Sequence, residues 1–463
     1  MPMPVVPVGL IVEIDFLGNN MNNQDELHLF CELSKNNKLT DIKNLNIKFV
    51  RSQNYISEYR EGATGRQISA YEMATKYGDK IYDIISEIYD YGSAILQISK
   101  DEPAMSLKNA REALGLSIEQ VANKLNLSID SIEDAENCKT KTSFTTLSKI
   151  AHTYGISDFD ISTKALSKSY TYLTNLKSFS KDVALNSDVI CEISTAIWIA
   201  KTQKELEDYL NIKHNFNYNR IDEELENIDN NKKPYEQGYY FADVTREMLG
   251  LPLEKIKLLN IFESLGIPVI QTDLSEAIAG VTICTNDAKA VVINSDKYHN
   301  GVSKRMTLAH ELCHVLWDRK VDYQIDLKSQ IDNDKDISIE QRANAFAIQF
   351  LAPIDKVYSK DTFVTPEEIA DRFGISTHSA NLHMKNFSLR SCQQVDTQSV
   401  DYMKFDEKIV NSLSIRSVPE ARRGVFLKRV IEAMNNNMIL PSTAAAYLYC
   451  NESDIDTIKN ELY

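Results

Sequence analysis

RMTLAHELCHVLW, Arg305 to Trp317, is the stretch on which the reading of this chain turns. It sets His310, Glu311 and His314 in a largely apolar run without Gly or Pro, the pattern of a buried helix. Helix positions four apart lie one above the other, so the two imidazoles share a face at about 6 Å. That spacing suits one zinc ion, with Glu311 projecting beside it as a general base. The bland alternative, a helix with two hydrogen-bonded core histidines, would bury Glu311 among them with no cation to offset the cost.

A tetrahedral catalytic site needs a third protein ligand and keeps the fourth position for water. The next helical stretch, SIEQRANAFAIQFLAP, carries Ala343, Phe346, Ala347, Phe350 and Leu351 at helical spacing and ends at Pro353. Glu340 precedes Ala343 and Ala347 by three and seven residues, so it falls on the same inward stripe, where a cation would satisfy it. Asn344, one turn on, is placed to orient Glu340 from outside the ligand set. Asp318, four residues after His314, is the rival ligand; a solvated acid at the helix end is the reading preferred for it.

Several runs in one order, GYYFADVTREMLGLP, FESLGIPVIQTDL, AIAGVTI, AVVIN, RMTLAHELCH and EQRANAFAIQFLAP, resemble the ImmA/IrrE family of zinc metallopeptidases from about Gly238 to Pro353. TPEEIADRFGISTHSANLHMKNF is similar to the helical segment that often follows. The resemblance implies that His310, His314 and Glu340 bind the metal and that Glu311 is the base. It also implies cleavage of a helix-turn-helix transcriptional repressor, in a stress, phage-defence or mobile-element response. Cys313 stands where the family usually has Gly; it reads as a packed small side chain. Imidazole and carboxylate ligands accept Zn2+ and also Mn2+.

Over 463 residues, 43% are apolar and 9% aromatic, an ordinary globular composition with room for two to four domains. Only 15 Gly and 11 Pro favour long helices over turn-rich sheet, so the expected class is mainly α with small β-sheets (α+β) and a zincin-like core. The net charge of −15 opposes general attraction to nucleic acid or anionic membrane. Seven cysteines without C-x-x-C pairs fit reduced thiols in a cytoplasm. MPMPVVPVGLIVEIDF has no basic residue ahead of a short, proline-broken apolar run, and nothing approaches 18 apolar residues. Neither a signal peptide nor a membrane span is expected, and the oligomeric state is unreadable.

Five segments are expected: 1–103, an α/β module of unread role; 104–157, a helix-turn-helix domain; 158–236, a helical connector and polar linker; 237–395, the metallopeptidase domain; and 396–463, a C-terminal helical cap. In the first, VGLIVEIDF and LNIKFVRS alternate like strands, QDELHLFCEL is ambiguous, and residues 65–98 read as helix with Tyr82 and Tyr89 at the edge of a core. In the second, Leu107, Ala110 and Leu114 share a helical face, Ser117 and Gln120 make a capping box, and a third helix opens near Ser128. This stretch resembles the Cro/repressor helix-turn-helix domain. Its recognition helix, SIDSIEDAEN, has Asp130, Glu133, Asp134 and Glu136 and no basic residue, and Lys139 and Lys141 do not offset them. Phosphates would repel that face, which makes DNA binding doubtful and favours a protein-interaction role or a mimic of the substrate repressor.

Within the fourth segment IPVIQTDL and AVVIN read as strands whose edge suits a substrate strand, and DYQIDLKSQIDNDKDIS as a solvated loop. His299 and Arg305 are expected to be structural or solvated. Ile369, Ala370, Phe373, Ala380, Leu382 and Met384 suggest a second helical pair that positions substrate. The leading expectation is a soluble zinc endopeptidase acting on a repressor-like protein. The alternatives are a DNA- or protein-binding regulator with a vestigial peptidase site, and an antitoxin or immunity component acting by binding alone.

Overall fold

The computed structural model describes residues 23–52, 55–63, 65–96, 107–137, 142–157, 186–228, 232–275, 278–284, 289–295, 301–318, 323–327, 334–359, 363–388 and 417–462. The expected strand at 8–16, Lys139, Lys141 and His299 lie outside them. Helices dominate, with two four-stranded sheets. Among the described residues no helix is long and apolar enough to cross a membrane.

The N-terminal sheet is antiparallel, in the order β3-β1-β2-β4: β1 Lys48–Arg51, β2 Tyr55–Glu58, β3 Arg66–Ser69 and β4 Ala94–Ile95. Phe49, Ile56 and Ile68 line its inner face beneath α1 (Asn23–Lys35), α2 (Leu39–Ile42), α3 (Ala70–Tyr77) and α4 (Ile81–Tyr91). The stretch expected to be helical throughout therefore begins and ends as strand. Alternation puts Arg66 and Ile68 inward, and Ser69 caps α3 by exchanging hydrogen bonds with Glu72. Tyr82 and Tyr89 are exposed, so they are not a core edge.

The next four helices, α5 (Leu107–Leu114), α6 (Ile118–Leu125), α7 (Ile129–Glu136) and α8 (Phe144–Thr153), form the expected helix-turn-helix bundle. Ser117 and Gln120 cap α6 reciprocally, Asn126 turns the chain in the left-handed region (φ 52°), and Ser128 caps α7. Val121, Ile132, Ala135, Leu147 and Ile150 close the core.

The bundle is built into the molecule. Helix α9 (Ser187–Tyr209) lies against α8, where Ser194 Oγ donates to Thr153 O at 2.6 Å. The same apolar core takes in α18 (Val425–Asn435), α19 (Pro441–Leu448) and α20 (Ile455–Leu462). Part of the Asn-rich stretch expected as linker forms α10 (Tyr218–Glu226), whose Ile221 is fully buried in the second core. Phe216, Tyr218, Leu225 and Ile228 pack beside it on the same core.

The second sheet runs β5-β7-β6-β8: β5 Val269–Thr272, β6 Ile278–Cys284, β7 Lys289–Asn294 and β8 Tyr323–Leu327. Part of the charged run expected as a loop is thus an edge strand, paired antiparallel with β6. β6 is buried at every position because both faces are covered, which is why it reads as a nearly continuous apolar run. Val281, Ile283, Ala290 and Val292 face the core of α9 and the C-terminal helices. Cys284, Val291 and Ile293 face the other core, with α11 (Pro234–Met248), α12 (Leu258–Ser264), α13 (Gly301–Trp317) and α14 (Asp334–Leu351). After the short α15 (Ile354–Val357) come α16 (Pro366–Phe373) and α17 (Thr377–Asn386). In α17 the buried residue beside Met384 is His383; Leu382, expected inside, is 48% exposed.

Candidate metal centre

Helix α13 delivers the first two groups. Its whole second half is buried, with Leu308, Ala309, Leu312, Val315 and Leu316 holding it against the sheet and α14. The His310 and His314 rings meet edge-on at a centroid distance of 4.7 Å and 74°, and their Nε2 atoms stand 3.0 Å apart. Helix α14 supplies Glu340, with Oε2 at 3.1 Å from His310 Nε2 and Oε1 at 3.6 Å from His314 Nε2. One donor atom from each of the three residues falls within 4.8 Å of the others.

The outer hydrogen bonds fix the tautomers. His310 Nδ1 faces Asn344 Oδ1 at 3.1 Å and His314 Nδ1 faces Asp318 Oδ2 at 2.9 Å. Both partners accept, so each Nδ1 carries the proton and each Nε2 presents a lone pair. Two lone pairs and a carboxylate then converge where the histidine side chains are 5% and 1% exposed. Such a donor set is repulsive without a cation and suits a divalent one with borderline N and O ligands.

Asn344 therefore addresses His310, where Glu340 was the partner expected for it. Asp318 is neither a solvated acid nor one of the three converging ligands: its side chain is 6% exposed, and it sits between His314 and the Arg342 guanidinium. Asp318 thus bridges the Arg342 guanidinium and the imidazole it holds. Nothing in the spacing of Arg342 announced this role; it follows from α14 crossing α13.

Glu311 is fully buried and points to β6, where Thr282 Oγ1 donates to its Oε2. Cys313 faces the apolar side of α13, and burial holds its thiol well above the usual range. Arg305 is buried and structural, its guanidinium donating to the carbonyls of Ile256, Phe373 and Gly374. Thr282 is the site residue that spacing did not reveal. A signal was available, since a lone hydroxyl in the apolar run AIAGVTIC needs a partner.

Two family profiles match the chain: the IrrE N-terminal-like domain of the M78 peptidases over residues 262–385, and a helix-turn-helix over residues 107–161. The chain combines an ImmA/IrrE-type peptidase domain with a helix-turn-helix domain. No curated protein matches the sequence. The ImmA/IrrE-type match takes in α13, the sheet and α14 through α17, so the converging histidines and Glu340 lie inside it. The helix-turn-helix match covers α5 to α8. In that domain Glu136, expected among the outward acids, turns inward and takes two hydrogen bonds from Arg111, at 2.7 and 2.9 Å.

Proposed function

We propose that this protein is a zinc-dependent endopeptidase, with His310, His314 and Glu340 as metal ligands and Glu311 as the base. The observation that carries the reading is the convergence of Glu340 with two imidazoles whose Nδ1 atoms are already engaged by Asn344 and Asp318. When bound, the metal supplies Lewis-acid polarisation of the scissile carbonyl and a water that ionises near neutral pH; Mn2+ suits the same ligands. Asn344 and Asp318 hold the imidazoles in the tautomer that leaves Nε2 available. Glu311 takes the proton from the attacking water and returns it to the leaving amine.

The substrate we infer is a helix-turn-helix repressor or a similar regulator, cut at an exposed loop or strand in the cytoplasm. Asp130 and Glu133 are exposed on α7, and Lys124 of α6 is committed to Glu192 at 2.6 Å. Those features weigh against phosphate contact and support a role for the bundle in protein recognition. A DNA- or protein-binding regulator with an idle site is the second reading, favoured by the helix-turn-helix match alone.

The test is metal analysis paired with fragment mapping. Wild type and Glu311→Gln are expected to hold one metal per chain, and only wild type to generate fragments in a lysate followed by mass spectrometry. Cleavage retained by Glu311→Gln, or a chain that takes up no metal, would overturn the proposal.

A further inference from the structure

We propose that Thr282 and Gly280 of β6 are positioning residues for the Glu311 carboxylate; this rests on the reading of Glu311 as the base. Residues 280 and 282 share the strand face turned to α13, while Val281 and Ile283 face the opposite core. The pairing of β6 with β8 slips between Ile278 and Gly280, an irregularity of the kind that re-aims side chains beside active sites.

From that face Thr282 Oγ1 reaches both Glu311 Oε2 and, at 3.2 Å, the Glu311 carbonyl. A hydroxyl donating to an ionised carboxylate is among the stronger neutral-donor contacts, and it fixes the rotation of the carboxylate plane.

Gly280 serves Oε1. A Cβ at this position would stand 2.7 Å from Glu311 Oε1, 3.1 Å from Cδ and 2.8 Å from Thr307 Cγ2. The glycine backbone is not in the left-handed region here, so conformation does not require it. Close approach does: any side chain would push the carboxylate out of its place. Glu311 is fully buried, so it cannot swing into solvent to escape.

The two residues thus hold one oxygen and leave room for the other. A burial role alone would be met by valine at 282, which has the same shape without the donor.

The experiment compares the full-length metal-loaded chain as wild type, Thr282→Val, Thr282→Ser and Gly280→Ala. Metal content, Tm, and kcat and KM on a peptide spanning the mapped cleavage site are measured. Thr282→Val is expected to lower kcat by about 10- to 100-fold, the range for residues that orient a reacting group from behind. KM and metal content stay level, and Thr282→Ser restores kcat to near wild type. Gly280→Ala lowers kcat with metal retained. Wild-type kcat in Thr282→Val, or a loss that Thr282→Ser shares equally, overturns the assignment. If wild type cuts nothing, the peptidase reading fails by itself, and the Glu311 carboxyl 13C resonance, assigned with Glu311→Gln, decides the positioning. Movement in Thr282→Val that reverses in Thr282→Ser upholds it, and an unmoved resonance overturns it.

Discussion

At the residue scale the centre depends on groups that never touch a metal. Asp318 hydrogen-bonds His314 while Arg342 neutralises it, so the imidazole tautomer is set by a carboxylate 6% exposed. Asp318→Asn keeps the shape and removes the charge. Metal affinity, measured by competition with a chromogenic chelator, is expected to fall about 10- to 100-fold, with the fold intact by circular dichroism. His383 answers to pH. Its Nε2–H donates to Ala352 O at 3.0 Å, and burial pushes its pKa down from 6.5 to about 4. The folded chain keeps this imidazole neutral, whereas the unfolded chain binds the proton from about pH 6.5 downward. Stability is full above pH 6.5 and is lost as pH falls from there toward 4, by up to about 3 kcal/mol. Urea midpoints of wild type at pH 7.5 and 5.5 are expected to differ by more than those of His383→Gln, which keeps a donor and cannot titrate.

At the element scale, the position of α14 sets where Glu340, Asn344 and Arg342 stand, and α11 holds α14. The two helices meet at Gly238, where a Cβ would strike the Arg342 carbonyl oxygen and sit 2.8 Å from Ala345 Cβ. Phe241 of α11 stacks on Trp317 at 3.8 Å and 7°, and Trp317 Nε1 donates to Thr245 Oγ1. Gly238→Ala is therefore expected to force the helices apart and to cost about 1–3 kcal/mol, the usual range for overpacking. Urea unfolding checks this, and a parallel metal titration should weaken, because the displacement reaches Glu340.

On the scale of the whole molecule, buried ion pairs join parts that are far apart in sequence. Arg429 of α18 is 5% exposed and meets Glu207 of α9, Glu263 of α12 and Glu432 at 3.0 to 3.2 Å. Glu207 also meets His214 Nε2 at 2.9 Å. Glu192 of α9 takes Lys124 from the helix-turn-helix and Thr272 Oγ1 from β5, so one carboxylate spans the bundle and the second sheet. Arg422 is buried with its guanidinium 3.5 Å over the Tyr449 ring. Arg429→Met is expected to destabilise by about 3–5 kcal/mol, because buried Glu207 then loses the guanidinium that joins it to Glu263 and Glu432. Thermal unfolding should show the loss, with Glu207→Gln in the same background recovering part of it.

What the amino-acid sequence determined alone was local: helical periodicity, the capping Ser117 and Ser128, and the i, i+4 spacing of His310 and His314. These depend on groups a few residues apart, which the chain geometry brings together whatever the rest does. Glu340 was legible for a related reason, because an acid on an apolar stripe demands a partner. The tertiary structure decided the rest. It turned Asn344 to His310, took Asp318 out of solvent, drew β8 from a charged run and docked α10 through Ile221. It also set Thr282 and Gly280 against Glu311. Each of these is a contact between segments separated by long stretches of chain. Their partners are chosen by packing and desolvation, which no local spacing encodes.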